Sequence, residues 1–573
     1  MKKYMLFLWS VFALTSCVDT VLLPDDKTVD EDYWKTKADV SEMVEGAYQG
    51  LTSSSVINNF VVWGDFRSDE LVPVSSPTQT ALTEIYAVNV QTTNSYSDWS
   101  SLYSVINKCN IVIDRAKDVM SIDPSYTQGD FETDCSQMLA LRALCYFYLV
   151  RNFRDVPYSG HAYMKSSEKM NLTQSNPDSV LALCIADLKK AEQNAIDPTA
   201  YSTNDWRRVG HVNRDAIDAI LADIYLWRGS VNHADSDYAQ CVAYCDKVIE
   251  SKKANHVKKI TDVADKEYPL ADGDEAFNNI FIDQNAEESI FELQFNGTNN
   301  SNTAICRNYY KYASNSSTTG YMKAASFLGS NATVFVNNNQ AKNSDYRYWQ
   351  NCFAVGSNAE SYDVRKMIAT SRSTSGDPNS KAYKRDDRAY DRFAQNYIFY
   401  RLTDVMLMKA EAMTQLAADD NDIQLREAFN LVQTVNSRSI YSGNLSADSL
   451  QWTYYKTKAD MEKLVLNERL RELCFEGKRW YDLMRYNYRH VNGVDYNTTL
   501  YQQKAQGKAF VRNNTDMLNL VVRKYTSGAQ AAASKMRTEP YLYMPVYQNE
   551  MNVNSNLRQN PAYSEANDYK KNY

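Results

Sequence analysis

The stretch from 213 to 250 carries two apolar stripes at helical spacing, and this pair constrains the fold more than any other feature of the 573-residue chain. Ile217, Ile220, Leu221, Ile224 and Tyr225 recur at the spacing that puts side chains on one face of an α-helix. Gly229 stands where a helix C-terminus favours glycine, and a short polar loop follows. Tyr238, Cys241, Val242, Cys245, Val248 and Ile249 then form the second stripe. Two helices this close in sequence match a tetratricopeptide-type hairpin, which buries its stripe only by stacking on a neighbour. Similar pairs are predicted at 134–153 with 177–195 and at 400–417 with 423–438. Their mutual identity is weak, so the pattern predicts a degenerate helical array. Val40, Met43, Val44, Ala47, Tyr48 and Leu51 mark a further helix, as do Leu102, Ile106, Cys109, Ile113 and Ala116. Gln137–Arg151 is apolar almost all round and reads as a helix covered on several sides.

Between about 265 and 400 the helical period fades, and Asn, Ser, Thr and Tyr become dense. Ser289–Phe295 (SIFELQF) alternates as a half-buried strand does, and Asn296–Asn302 is loop material. The fold class predicted is therefore mainly α: a tetratricopeptide-like hairpin scaffold with a large loop-rich insertion containing short β-strands. Long loops in compact proteins often carry function. A net charge of −8 without a basic run makes nucleic acid and anionic membrane surfaces poor partners. Tyr outnumbers Phe by 42 to 19, which suits wet, hydrogen-bonding recognition surfaces.

Met1-Lys2-Lys3 and the short apolar run Tyr4–Thr15 have the shape of a secretory signal, too short to span a bilayer. The run ends in Leu14-Thr15-Ser16-Cys17, which resembles a bacterial lipobox. Residues 1–16 are thus expected to be a lipoprotein signal peptide and Cys17 the lipidated residue that attaches the protein to a membrane. Nine of the ten cysteines then remain, an odd number. Cys109, Cys145, Cys184 and Cys474 lie in apolar helical runs, and Cys241 with Cys245 is too little for zinc, so no disulfide framework is expected.

Residues 467–486, NERLRELCFEGKRWYDLMRY, crowd Glu468, Arg469, Arg471, Glu472, Glu476, Lys478 and Arg479 around Phe475 and Trp480. Glu468 and Glu472 are one helical turn apart, and Arg469 and Arg471 can pair with carboxylates on the same or a neighbouring helix. A structural brace accounts for this density without any catalytic constellation. Elsewhere there is no HExxH, no phosphate-cradling Gly loop and no GxSxG among the motifs. Asp419–Asp422 (DDND) lacks the Gly and distal Glu of a calcium loop and reads as a helix cap. No catalytic residue, metal or cofactor is expected.

Nine segments taken together resemble the SusD/RagB family of outer-membrane nutrient-binding lipoproteins. They are DEDYWKTKADVSEMVEGAYQGL, GDFRSDE (64–70), WSSLYSVINKCN (99–110), LALRALCYFYLVRNFRDVPY (139–158), GHVNRDAIDAILADIYLWRG (210–229), SIFELQF, YRLTDVMLMKAEAM (400–413), the 467–486 stretch and YMPVYQNEMNVNSNLRQNPAY (543–563). Arg154 stands where the family usually has Gly, and the acidic stretch after Cys17 is only loosely present as Asp25-Asp26. The resemblance implies four helical pairs, an N-terminal region at 17–264, and a C-terminal region at 265–573 that holds the insertion and the helical brace. It also implies a lipid-anchored, cell-surface protein of the outer membrane that hands an oligomer to a SusC-like TonB-dependent transporter, as a hinged lid that does no chemistry.

An oligosaccharide offers hydroxyls and weakly apolar ring faces, so its binder needs aromatic platforms beside amide or guanidinium groups. The resemblance places the ligand face on the loop after GDFRSDE and on the insertion. The first offers Tyr86, Asn89, Asn94 and Tyr96; the second offers Arg307, Tyr309, Tyr310 and Tyr312, with Tyr321 beyond. Trp63 and Trp99 read as packing residues. Peptide cargo on the same scaffold, and a helical-repeat scaffold that binds only proteins, are the alternatives. A charge-lined, aromatic-poor cleft would mark the former and an exposed apolar groove the latter.

Overall fold

The computed structural model describes residues 33–75, 78–164, 168, 171–255, 268–309, 320–328, 332–338, 344–354, 362–369, 393–441 and 448–564. Cys17, Tyr310 and Tyr312 lie outside them. The scaffold is a succession of packed helices whose apolar stripes are covered by neighbouring helices. α1 (Lys37–Leu51) and α2 (Ser54–Val61) open the chain, followed by α3 (Ser100–Val119), α4 (Gln128–Phe153) and α5 (Pro177–Gln193). Next come α6 (Arg214–Asn232), α7 (Asp235–Asn255), α8 (Leu402–Leu416) and α9 (Ile423–Ser437). α10 (Lys458–Leu473) and α11 (Arg479–Arg489) carry the charged stretch. α4 with α5, α6 with α7 and α8 with α9 are the three hairpins expected from the stripes, and α1 packs on α3 as a fourth pair. The pairs stack in order, α3 on α4, α5 on α6 and α7 on α8.

Local chemistry sets the helix ends. Thr36 and Asp39 cap α1 reciprocally, the hydroxyl accepting one backbone N–H and the carboxylate the other, and Thr127 with Asp130 repeats the device on α4. α6 does not stop at Gly229. It runs on to Asn232 and ends at His233, whose backbone is left-handed (φ 51°, ψ 45°). Gly229 instead lets the Tyr238 ring approach, since a Cβ there would lie 3.1 Å from it.

The strands are short. β1 (Leu71–Pro73), β2 (Val156–Pro157), β3 (Gln174–Ser175), β4 (Ser289–Leu293), β5 (Met322–Ala324), β6 (Phe353–Ala354), β7 (Tyr362–Asp363) and β8 (Tyr397–Arg401) form a four-stranded sheet β1-β5-β7-β6 and the pairs β2-β3 and β4-β8, all antiparallel. β4 is a strand as expected, but it is buried on both faces rather than one. Phe291 stacks on Phe399 of β8 at 5.1 Å, while on the other face Glu292 accepts hydrogen bonds from Ser289 Oγ and from Asn396 Nδ2 (2.9 Å). The partner strand lies about a hundred residues downstream in the chain, beyond the reach of periodicity.

The 467–486 stretch is the centre of the molecule. Its charged side chains are buried, each against an opposite charge. Glu472 takes Arg347 Nη1 at 2.8 Å, Arg401 Nη1 at 2.5 Å and Arg438 Nη2. Glu476 takes a two-pronged contact from Arg401 (2.8 and 2.8 Å) and the Lys366 ammonium at 2.5 Å. Glu468 pairs with Arg347 and Arg471, Arg469 with Asp404 and Asp482, Arg479 with Asp69, and Arg485 with Glu411. Burial alone would raise the Glu472 carboxyl, but Arg438, Arg401 and Arg347 together hold it well below the usual carboxylate range. Buried charges of this density persist only when each faces an opposite charge, which is why the residue types are so specific here. The nine cysteines among the described residues are all buried, and none is in a disulfide.

Arg154, the departure noted in the sequence, follows α4 with φ 66° and ψ −73°, in a γ-turn closed by Asp155 N–H to Phe153 O (2.9 Å). The strain is held by its side chain, fully buried and bonded to Asp155 and Glu539 (2.9 Å each) and to the carbonyls of Thr498 (2.9 Å) and Asp495 (2.5 Å). Arg154→Gly relieves the backbone by about 1 kcal/mol but strands two buried carboxylates, so a net loss of more than about 2 kcal/mol is expected in denaturant unfolding. A variant as stable as the parent would show that the ion pairs do not hold the turn.

Candidate functional site

The two loops expected to carry ligand are brought together by one strand pair. β1 and β5 register as Leu71↔Ala324, Val72↔Lys323 and Pro73↔Met322. The pairing extends through Val74 N–H to Tyr321 O (3.1 Å) and Ala325 N–H to Glu70 O (2.7 Å). Tyr321 N–H in turn donates to Arg307 O at 2.9 Å. The segment after GDFRSDE and the insertion are therefore one surface, although more than two hundred residues separate them in the chain.

On that surface Tyr96 and Tyr321 are half-buried neighbours, and burial first, then the neighbouring phenol, pushes the Tyr96 hydroxyl up to about 12. Tyr96 is held from behind, since its carbonyl accepts the Trp63 indole N–H at 2.8 Å. Arg307 is exposed. Tyr86 is half-buried and stacks on Tyr525 at 4.5 Å, and Tyr525 Oη donates to Tyr86 O at 2.5 Å. Asn89 is exposed, and its Oδ1 accepts from Lys535 Nζ at 3.3 Å. Asn94 is buried: it donates to Ala81 O (3.0 Å) and Glu84 Oε2 (2.8 Å) and accepts the Tyr96 N–H (3.0 Å), so it shapes the loop rather than facing a ligand.

Tyr309 corrects the expectation made from sequence. Its ring is a core residue, 1% exposed, and its hydroxyl donates to Asp65 Oδ2 at 3.1 Å. The short helix Thr303–Tyr309 turns Tyr309 inward and Arg307 outward, a choice that a cluster of tyrosines in irregular sequence does not reveal.

Arg523 and Lys524, beside this surface, were not among the residues expected from sequence. Arg523 lies 3.8 Å over the Phe327 ring and is anchored by Asp69 at 2.5 Å, the same carboxylate that holds Arg479 of the brace at 2.9 Å. Lys524 lies beneath the Tyr86 and Tyr525 rings and donates to Phe66 O at 2.8 Å, and burial brings its ammonium down to about 7. A single carboxylate, Asp69, thus connects the brace to the cation beside the tyrosines. The one sequence signal was Asp69 itself, inside GDFRSDE. Such an arrangement offers ring faces and hydrogen-bonding tips and suits binding without bond-making. Among the described residues no cluster of His, Cys, Asp or Glu could hold a metal ion, and no helix is long and apolar enough to cross a membrane.

Comparison with known proteins agrees with this architecture. Residues 337–563 match the SusD family model, and residues 22–226 match a SusD-like model described as starch-binding and associating with the outer membrane. SusD-like proteins P38 and P2 of Formosa agariphila are each 24% identical, over 85% of this chain and 92% and 91% of theirs. A SusD homolog of Bacteroides thetaiotaomicron superposes with a TM-score of 0.68 at 18% identity, covering 93% of this chain and 99% of its own. NanU of B. fragilis does so at 0.64 and 17%, covering 95% and 100%. With matched models at both ends, relatives aligned along most of its length and the same helical fold, the chain belongs to the SusD/RagB family.

Proposed function

We propose that the protein is a cell-surface lipoprotein of the outer membrane that captures an oligosaccharide and passes it to a SusC-like TonB-dependent transporter. The observation that carries the cargo reading is the β1-β5 junction, beside which half-buried Tyr321 neighbours Tyr96 and bonds the backbone of exposed Arg307. The Tyr86–Tyr525 stack, with Asn89 and Lys535, extends the same chemistry. Ring platforms flanked by amide and cationic donors meet a sugar's C–H face and hydroxyls together. Family membership and the matched starch-binding description support the same reading. Tyr310 and Tyr312 remain proposed ligand groups from sequence. Cys17 is the proposed lipid attachment, through which the protein would be held to the membrane as a lid on its transporter. No catalytic step belongs to this function.

Isothermal titration of the chain from residue 18 onward against oligosaccharide panels is expected to give a hit. Tyr96→Ala with Tyr321→Ala should weaken that hit at least about tenfold, in line with the loss of one or two ring contacts. Retained affinity in that variant would move the site elsewhere. Binding to a mixed peptide panel alone would make peptide the cargo.

A further inference from the structure

A second groove, of about 770 Å³, lies between α1, the turn at 206–211 and the segment that leaves β4. It shares no residue with the tyrosine surface. Its prominent feature is Trp206, 45% exposed and so among the largest apolar groups left to solvent. The indole stands edge-on to His211 at 5.2 Å, and His211 stacks on Tyr48 at 5.0 Å, so the ring is set in an aromatic layer rather than left loose. Opposite, α1 presents Glu42, Glu45 and Gln49 from its exposed face. Asn296 borders the groove with a fixed carboxamide, since its Oδ1 accepts the N–H groups of Thr298, Asn299 and Asn300 at 2.9–3.0 Å.

His211 fixes the platform from behind. It is 8% exposed, and its Nε2, closed off from solvent, lies 3.0 Å from Glu45 Oε1, so the ring ties the aromatic layer to α1. No Lys or Arg lines the groove among the described residues, and two carboxylates do. A phosphate, sulfate or uronate would meet repulsion here, whereas a vicinal diol can donate to a carboxylate while its ring covers an indole.

We infer that this groove is a separate binding site for an uncharged saccharide, with Trp206 as the platform, held in place by His211 and Tyr48, and Glu42, Glu45 and Gln49 taking hydroxyls. The inference concerns a site of its own and stands whether or not the tyrosine surface binds sugar.

The test uses the chain from residue 18 onward labelled with 5-fluorotryptophan, with Trp206→Phe assigning its fluorine resonance. The probes are maltohexaose, cellohexaose and mannohexaose, with oligogalacturonate and chitosan oligomers as anionic and cationic comparisons. The Trp206 line is expected to shift with at least one neutral hexaose and not with oligogalacturonate. The shift should persist in the Tyr96→Ala/Tyr321→Ala variant, and Glu45→Ala should weaken it about tenfold. Loss of the shift in the tyrosine variant would make the groove an extension of the other surface and overturn a separate site. A line that stays still with all three neutral hexaoses, or answers only to chitosan, overturns the inference as well. A hit on the tyrosine surface with a silent Trp206 would leave the proposed function intact while removing this site.

Discussion

Glu472→Ala is expected to destabilise the protein by more than about 4 kcal/mol, a large share of the stability of an ordinary domain. Three guanidinium groups, from Arg347, Arg401 and Arg438, converge on this carboxylate, and none of them is more than a few per cent exposed. Removing the anion leaves uncompensated positive charge in a buried site, which costs more than the pair itself contributed. Glu192→Ala is the comparison, because its pair with Lys247 is open to solvent (24% and 48%) and should be worth less than about 1 kcal/mol. Denaturant midpoints of the two variants check the contrast, and similar losses in both would mean that burial does not set the scale. The same cluster predicts a pH response. Glu472 is held below its unfolded value, so its contribution is complete above about 4.5, the ordinary glutamate value, and is lost as pH falls through the folded value. Asp404, brought down to about 2 by Lys478 and Arg469 against the raising effect of burial, acts in the same direction. The parent should therefore lose stability on acidification below about pH 4.5, and the Glu472→Ala variant should lose less of it.

Gly64→Ala is expected to cost about 3 kcal/mol or more. A Cβ on Gly64 would come within 2.7 Å of Gly477 Cα and 2.5 Å of its carbonyl carbon, with the carbonyl oxygen nearer still. These are backbone atoms and have no rotamer into which to retreat. Gly477 itself has φ +74°, and its N–H donates to Asp65 Oδ1 at 2.8 Å, so neither side of the contact can move without breaking another. Gly477→Ala also pays for a left-handed backbone, about 1–2 kcal/mol, but the hydroxyl end of Tyr397 that its Cβ meets belongs to a side chain. The expected order of unfolding midpoints is parent, Gly477→Ala, Gly64→Ala, lowest last. A Gly64→Ala protein with a parental midpoint would show that the two backbones are not in contact.

The helical half of this fold was legible because its information is local. Stripes such as Ile217 to Tyr225 name both the helix and its buried face, and short loops force antiparallel neighbours. The brace was legible as a role, from the pairing capacity of Glu468, Arg469, Arg471 and Glu472, but its partners were not. Arg347, Arg401 and Asp69 come from three other parts of the chain. The candidate site was legible only in half. Tyr86 and Tyr96 sit beside the strand pair, yet Tyr525, against which Tyr86 stacks, is 439 positions away. Tyr309 turned inward because the Thr303–Tyr309 helix is too short to display a period. Trp206 carried no signal beyond being one aromatic residue in polar sequence.

The insertion is tacked down at several points: β4-β8 closes its ends, β5 is laid on β1, Arg347 plugs into Glu468 and Glu472, and Lys366 reaches Glu476. A segment tethered in this way behaves like fabric sewn along fixed seams. Directed evolution can exploit that. A combinatorial library that leaves the seam residues untouched and diversifies only what lies between them keeps the scaffold's register while changing the surface on offer, whereas one that grafts the whole segment severs the brace from the cations it depends on.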